Sequence, residues 1–172
     1  MPRIARIAAL CALTTSLLLC RDICPAAELP KLDAKLDQVR VEKVEVRASA
    51  VGPVVLLRVG SKAIPVFIDA VVAESINGAL GGQKPARPLS HDLMHSILEG
   101  MGARVAQVVV TLKGQIFYAD VTVVSGSTTK VFDSRTSDAV ALAIHFKAPI
   151  LVSPALVESA GVEIETSVGK PI

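Results

Sequence analysis

The sequence predicts an α+β fold, a single compact domain with a largely antiparallel mixed sheet and three to four helices. The chain has 172 residues, which is enough for one domain with its own core. Hydrophobic residues make up 51% of it, aromatic residues only 3%, and tryptophan is absent, so the core is built mainly from Val, Ile, Leu and Ala. Strand patterns cluster before and after helix patterns instead of alternating with them, which is typical of α+β proteins.

The first 27 residues have the features of an export signal. Arg3 and Arg6 precede a run of 14 apolar or small residues, and two alanines at the end of the segment suit cleavage. The run is shorter than the about 20 residues that a membrane span needs. We therefore predict a signal peptide over 1–27, a polar lead-in over 28–38 and the folded domain over 39–172.

This division predicts an exported protein, periplasmic or secreted, with no stable membrane insertion after cleavage. An uncleaved membrane anchor is one alternative. A lipoprotein site at Cys20 is another, although Leu19 before it is large for such a site. Cleavage would remove all three cysteines and a net charge of +2, leaving a nearly neutral chain without thiol chemistry. Such a domain has no general attraction for nucleic acid, so binding would need a local basic patch.

The segment before the first predicted helix has the alternation of β-strands. Valines and charged residues interleave over 39–50, which predicts one half-buried strand with an irregularity near Glu42 and Lys43. The apolar runs 54–59 and 63–68 flank Gly60 and Ser61, so we expect a hairpin there.

Two helices follow in the pattern. Asp69 is a suitable cap for a helix from Ala70 to about Leu80, which the following Gly81-Gly82 would end. Val72, Ile76, Ala79 and Leu80 would face inward. Ser90 is the expected N-cap of a second helix that ends near Gly100, with a buried stripe made of Leu93, Met94, Ile97, Leu98 and Met101.

The second half begins with the clearest hairpin pattern of the chain, at Lys113 and Gly114. Thr136 or Ser137 is the expected cap of the third helix. The predicted elements are strands over 103–112, 115–124 and 128–133, a helix over 138–146, a short strand over 149–152 and a helical turn or two over 154–160.

Groups capable of chemistry concentrate in two stretches, 87–102 and 133–138. Each leads into a helix start and brings an arginine with carboxylates. A helix N-terminus and an arginine together can hold phosphate oxygens. Capping of the helices and a surface ion pair of Arg135 are the simpler explanation of the same residues.

Two histidines four residues apart, His91 and His95, also resemble the zinc-protease pattern, in which both imidazoles share one helix face. The match is faulty because Asp92 stands where that pattern has Glu, and we expect His95 to lie beside the apolar stripe. Glu74 would be an outward side chain of the first helix. The sequence has no glycine-rich phosphate loop and no Ser–His–Asp signature.

Several ordered motifs resemble the bifunctional nuclease domain family over about residues 41–161. They are Pro53-Val54-Val55-Leu56-Leu57, Ile64-Pro65-Val66-Phe67-Ile68 with Glu74 following, Arg87-Pro88-Leu89-Ser90-His91-Asp92-Leu93, Phe117-Tyr118-Ala119 and the run 133–143. The chain departs from the family in having Asp69-Ala70 in place of Gly-Pro, Phe67 in place of Trp, Ser90 in place of Thr and Thr136 in place of Pro. The resemblance implies a compact, often self-associating α+β domain with nuclease activity on DNA and RNA.

Two hypotheses follow. In the first, the protein is a nuclease in which Glu74, Asp92 and Asp138 hold Mg²⁺ or Mn²⁺. His91 is then the general acid or base. The phosphate is bound by Arg87, Arg135 and Ser137. In the second, the domain is a non-catalytic binding or assembly module whose charged residues serve caps and ion pairs. The position of four side chains separates the two hypotheses. The first requires that one concave face of the protein carries Glu74, His91, Asp92 and Asp138, whereas scattered positions favour the second.

Overall fold

The computed structural model describes residues 38–83 and 85–164, and the predicted α+β class is confirmed. Its strands form two sheets, one mixed and one antiparallel. The strands are β1 (Val39–Arg40), β2 (Lys43–Ser49), β3 (Gly52–Val59), β4 (Lys62–Phe67), β5 (Ala103–Lys113), β6 (Ile116–Ser125), β7 (Thr128–Ser134), β8 (Ile150–Val152) and β9 (Val162–Glu163). The helices are α1 (Ala70–Gly81), α2 (Ser90–Gly100), α3 (Thr136–Phe146) and α4 (Pro154–Ala160).

The five-stranded sheet has the order β1-β8-β5-β6-β7, and the four-stranded sheet has the order β2-β3-β4-β9. All neighbours are antiparallel except β5 and β8, which run parallel with Val109 opposite Leu151. The two strands are parallel because α3 forms the crossover connection between β7 and β8, so that β8 runs in the same direction as β5. β9 was not expected, since its residues lie in the polar tail.

The single strand predicted over 39–50 is wrong, because the chain changes sheets in the middle of it. β1 pairs with β8, whereas β2 pairs with β3. At the break, the N–H of Val41 donates to Ile150 of the first sheet and the N–H of Glu42 donates to Arg58 of the second. The irregularity seen near Glu42 is thus the junction between two sheets.

Both predicted hairpins are confirmed. Gly60 joins β3 to β4 with φ of 57°, and Gly114 joins β5 to β6 with φ of 65°. These angles lie in the left-handed region that glycine adopts without a Cβ clash. The β5–β6 pairing also contains a bulge between Val105 and Gln107.

The centre of the fold is α3, which packs against α1 and α2 and against β5 and β6. The predicted helix begins two residues too late and its cap is wrong, because Arg135 is the N-cap and Thr136 is already helical and buried. Residues Ala139 to Ala143 are all buried. A helix enclosed on several sides is apolar around most of its circumference, which explains why five consecutive residues of α3 are buried.

The cap predictions for α1 and α2 are also wrong in detail. Asp69 is the N-cap residue of α1 without a capping side-chain bond, and Leu89, not Ser90, is the N-cap of α2. Leu80 is half exposed. In α2 the predicted stripe is only half buried: Met94 and Leu98 pack on the core, whereas Leu93, Ile97 and Met101 are exposed by 54%, 50% and 72%.

Within the described part of the chain, no helix is long and apolar enough to cross a membrane. The predicted signal peptide and its alternatives fall on residues outside that part.

Candidate functional site

The two dense stretches of the sequence meet in the structure, at the starts of α2 and α3. The Nε2 atom of His91 lies 3.2 Å from Oδ1 of Asp138. An ionised carboxylate only accepts hydrogen bonds, so Nε2 of His91 carries the proton and donates it. The side chain of His91, the residue predicted as general acid or base, is buried and only 5% exposed. Its other ring nitrogen, Nδ1, is buried without a partner in the described residues.

Asp138 is shared between His91 and an arginine. Nε and Nη2 of Arg135 donate to the two carboxylate oxygens of Asp138 at 2.7 and 3.1 Å. Burial alone would raise the pKa of Asp138, but the bonds and charge of Arg135, together with His91, hold that pKa below its usual value. The surface ion pair expected for Arg135 is thus formed with Asp138, and a longer contact of 3.8 Å joins Arg135 to Asp69.

Asp92, one residue after His91, is held at the first turn of α2. Its Oδ2 accepts the N–H of Leu89 at 2.9 Å. Its side chain also lines a cavity of about 460 Å³ together with Glu74 of α1. Glu74 is exposed, as expected, and the cavity brings these two predicted site residues to one concave surface.

A second cavity, of about 490 Å³, lies at the start of α3. Arg135, Thr136 and Ser137 line it, with Asp69 and two phenylalanines, Phe67 and Phe117. Thr136 Oγ1 is buried without a hydrogen-bond partner in the described residues. This cavity places Arg135 and Ser137 together as predicted. Arg87 is exposed and makes no ion pair with the residues that the structure describes.

The three predicted metal ligands are not gathered at one point. Glu74 and Asp92 face one cavity, whereas Asp138 is turned toward His91 and Arg135. Over residues 38–83 and 85–164, no group of three His, Cys, Asp or Glu side chains is arranged to hold a metal ion.

The zinc-protease pattern has no support in the geometry. His91 is bonded to Asp138, and Nε2 of His95 lies 3.5 Å from Glu99 of its own helix. The ring of His95 packs on Phe146, with a centroid distance of 4.4 Å. The two imidazoles therefore have separate partners.

Two residues that the sequence analysis missed, Ser75 of α1 and His145 of α3, lie beside Asp92 of α2. Oγ of Ser75 is 2.9 Å from Nε2 of His145, and Nδ1 of His145 is 3.9 Å from Oδ1 of Asp92. Burial lowers the pKa of His145, and His95 and His91 act in the same direction against the opposing charge of Asp92. The only local signal was that polar Ser75 stands beside Ile76 on the buried side of α1.

Comparison with known proteins identifies the family to which the chain belongs. The model of the bifunctional nuclease domain matches residues 54–165. Two uncharacterized proteins of Mycobacterium tuberculosis, from strains CDC 1551 / Oshkosh and ATCC 25618 / H37Rv, are each 34% identical over 132 residues. The match covers 75% of this chain and 79% of each relative. The chain belongs to the bifunctional nuclease domain family, as its motifs indicated.

Proposed function

We propose that the protein is a nuclease that hydrolyses phosphodiester bonds of DNA, RNA or both. The observation that carries the proposal is the contact of His91 with Asp138 and of Asp138 with Arg135. It joins the starts of α2 and α3 through His91 and Asp138, which are 47 positions apart in the chain. Phosphodiester cleavage needs charge neutralisation, an activated water and a proton for the leaving oxygen. Only the two stretches together contain groups for all three tasks.

The phosphate would bind at the start of α3. Arg135 is 68% exposed, so donors not used by Asp138 face solvent beside Ser137 and the first-turn N–H groups of α3. These groups favour anions, and the helix dipole adds to the attraction. Asp69 in the same cavity opposes the attraction, and Asp138 already pairs with Arg135. Phosphate binding here therefore depends on the remaining donors of Arg135 and on the first turn of α3, since Arg87 is not among the residues that line this cavity.

The acid–base chemistry would come from the start of α2. Asp92 faces the cavity with Glu74 and is the accessible carboxylate of that helix start. His91 donates its Nε2 proton to Asp138 and its Nδ1 is buried, so an acid–base role of His91 requires that substrate binding opens a path to this ring.

A three-carboxylate metal site does not fit the arrangement of the side chains. Mg²⁺ is commonly held by one or two carboxylates, with water and substrate phosphates completing its shell. Glu74 and Asp92 are the pair that could serve in this way. Assays with Mg²⁺, with Mn²⁺ and with a chelator decide whether the reaction needs such an ion.

The test is cleavage of single- and double-stranded DNA and RNA by the purified chain and by two variants. His91→Ala and Asp92→Asn should each lose at least ~10²-fold of the activity, as expected for acid–base groups. Asp120→Asn, which changes an exposed carboxylate of β6, is the matched control and should keep full activity. If both site variants cleave like the wild type while folded, the site is misplaced.

The alternative is a non-catalytic binding or assembly module. The observation in its favour is that His91 and Asp138 are paired with each other inside the protein, which gives both a structural role. Cleavage that varies between preparations of one variant, independently of its substitution, would come from contamination and would support this alternative.

A further inference from the structure

Three helices meet at the line of side chains Ser75, His145 and Asp92, which we call the relay. Ser75 belongs to α1, His145 to the last turn of α3 and Asp92 to the first turn of α2. Ser75 and His145 are 70 positions apart in the sequence, yet Oγ and Nε2 are within hydrogen-bond distance at 2.9 Å. None of the roles derived above for the nuclease site uses Ser75 or His145.

The surroundings of the imidazole define which nitrogen carries its proton. Nδ1 of His145 faces Oδ1 of Asp92 at 3.9 Å, a distance longer than a hydrogen bond but within strong electrostatic reach. A lone pair on Nδ1 would be repelled by the carboxylate, whereas an Nδ1–H is attracted to it. Nε2 is then the acceptor, and the hydroxyl of Ser75 donates to it.

We propose that Ser75 and His145 are positioning residues that hold Asp92 in its orientation toward the cavity. The charge of Asp92 favours the Nδ1–H tautomer of His145, and Ser75 supports it by donating to Nε2. The Nδ1–H then attracts Oδ1 of Asp92 while the N–H of Leu89 holds Oδ2. Both carboxylate oxygens are thereby directed by the protein. The inference rests on the proposed function only in taking Asp92 as a residue of the nuclease site.

The same three residue types form the nucleophilic triad of hydrolases, but the geometry assigns Ser75 a different role. Ser75 is only 2% exposed and lies inside α1. Backbone N–H groups in the interior of a helix are bonded to carbonyls one turn earlier. They are therefore not free to stabilise an oxyanion beside the serine, as a nucleophilic mechanism requires.

The first test measures the tautomer and needs no enzymatic activity. Long-range ¹H–¹⁵N spectra of the full chain distinguish Nδ1–H from Nε2–H in each of the three histidines. The expected result is an Nδ1–H tautomer for neutral His145, and a mixture of both forms in Ser75→Ala. Ser159→Ala is the matched control, because it also removes a serine hydroxyl from a helix, but one that donates to the carbonyl of Leu156 and not to a histidine. It should leave the spectrum of His145 unchanged. An Nε2–H tautomer in the wild type overturns the relay.

The second test replaces His145 by two amides. The amide nitrogen of Asn lies near the position of Nδ1, whereas that of Gln lies near Nε2. His145→Asn should keep nuclease activity within about threefold, and His145→Gln should lower kcat by roughly tenfold or more with KM little changed, as for other orienting partners. Equal losses in the two variants would mean that His145 only fills space, which contradicts the proposal.

Hydrogen exchange of the Leu89 amide separates the relay from the nuclease proposal. Release of Asp92 should raise the exchange rate of this N–H in His145→Gln but not in His145→Asn. The wild type could lack nuclease activity and still show the Nδ1–H tautomer, while the two variants differ in Leu89 exchange as expected. That result would refute the proposed function and leave the relay intact. Unchanged exchange in His145→Gln would refute the relay whatever the activity.

Discussion

At the scale of single residues, His91 is the position where burial most changes the interpretation of the sequence. It stands in the first turn of α2, where the sequence predicts a general acid or base. Its side chain is buried and donates to Asp138, which in turn binds Arg135. The three side chains form one connected set, so a substitution at His91 affects both the proposed chemistry and the free energy of unfolding.

We expect His91→Ala to lower the free energy of unfolding by about 2 kcal/mol or more. The variant loses a buried hydrogen bond and leaves a cavity between α2 and α3. Urea denaturation of wild type and variant measures the change. His95→Ala, which removes a more exposed imidazole from the same helix, is the control and should lose less. Equal losses would show that the burial of His91 contributes nothing particular.

The ion pair of Arg135 should contribute little to stability, because the guanidinium is mostly exposed to water. Arg135→Lys keeps the charge but loses the bidentate bonding to Asp138. The expected loss in the free energy of unfolding is about 0–1 kcal/mol. Denaturant unfolding checks the value, and a loss of several kcal/mol would reveal a buried network instead of an exposed pair.

At the scale of elements, the outer face of the second sheet carries a charge cluster centred on Glu45 of β2. Lys43 and Arg47 of the same strand and Arg58 of β3 all lie within 3.3 Å of its carboxylate oxygens. Hydrogen bonds from Lys43 and Arg47 are the main reason that the pKa of Glu45 falls to about 2. The cluster connects β3 to β2, the edge strand of its sheet. The sequence pattern predicts β2 and β1 as one continuous strand.

The pH dependence of stability should follow this carboxylate. Its pKa is lower in the folded chain than the ordinary 4.5. Its stabilising effect is therefore complete above about pH 4.5 and is lost as the pH falls toward about 2. We expect Glu45→Gln to be less stable than wild type at pH 7 and the difference to shrink steadily below pH ~4.

Urea midpoints measured between neutral and acid pH give this difference. Glu42→Gln is the control, since Glu42 makes no ion pair with the described residues, and it should show no such narrowing. If the difference in stability between wild type and Glu45→Gln is the same at all pH values, the Glu45 carboxylate is not the source of the pH dependence.

At the scale of the whole molecule, one of the apolar surfaces that the described fold leaves uncovered lies along α2 and its C-cap. Leu93, Ile97 and Met101 recur every four residues and are each at least half exposed. A helix with apolar residues at this spacing presents a continuous stripe. The family resemblance predicts self-association, and if the chain self-associates we expect this stripe to be the contact surface.

We expect Ile97→Lys to weaken self-association by placing a charge in the middle of the stripe. Sedimentation velocity over a range of concentrations measures the association of wild type and variant. Val51→Lys, at an equally apolar but separate exposed position in the β2–β3 turn, is the control and should associate like wild type. A wild type that stays monomeric throughout the range, or an Ile97→Lys variant that associates normally, would contradict this placement.

Local sequence was sufficient for most elements and for the family. Hairpins at Gly60 and Gly114, the extent of α1 and α2, and the end of α1 at Gly82 follow from periodicity and turn residues, which act over a few positions. The family motifs likewise lie in short continuous runs. The two stretches dense in groups capable of chemistry brought His91, Asp92, Arg135 and Asp138 into the candidate site, while export of the chain stays a prediction.

Tertiary structure decided what depends on packing between distant segments. The alternation of valines and charged residues over 39–50 is the same for one strand as for two. Only the hydrogen bonds of the chain to Ile150 in one sheet and to Arg58 in the other show that it contains two strands. Which half of the α2 stripe is buried depends on where α3 lies. Ser75 and His145 carry no local mark of their contact, because it joins two helices across 70 positions. Side chains so far apart are brought together by the burial of the helices that carry them, and no short pattern in the sequence records that packing.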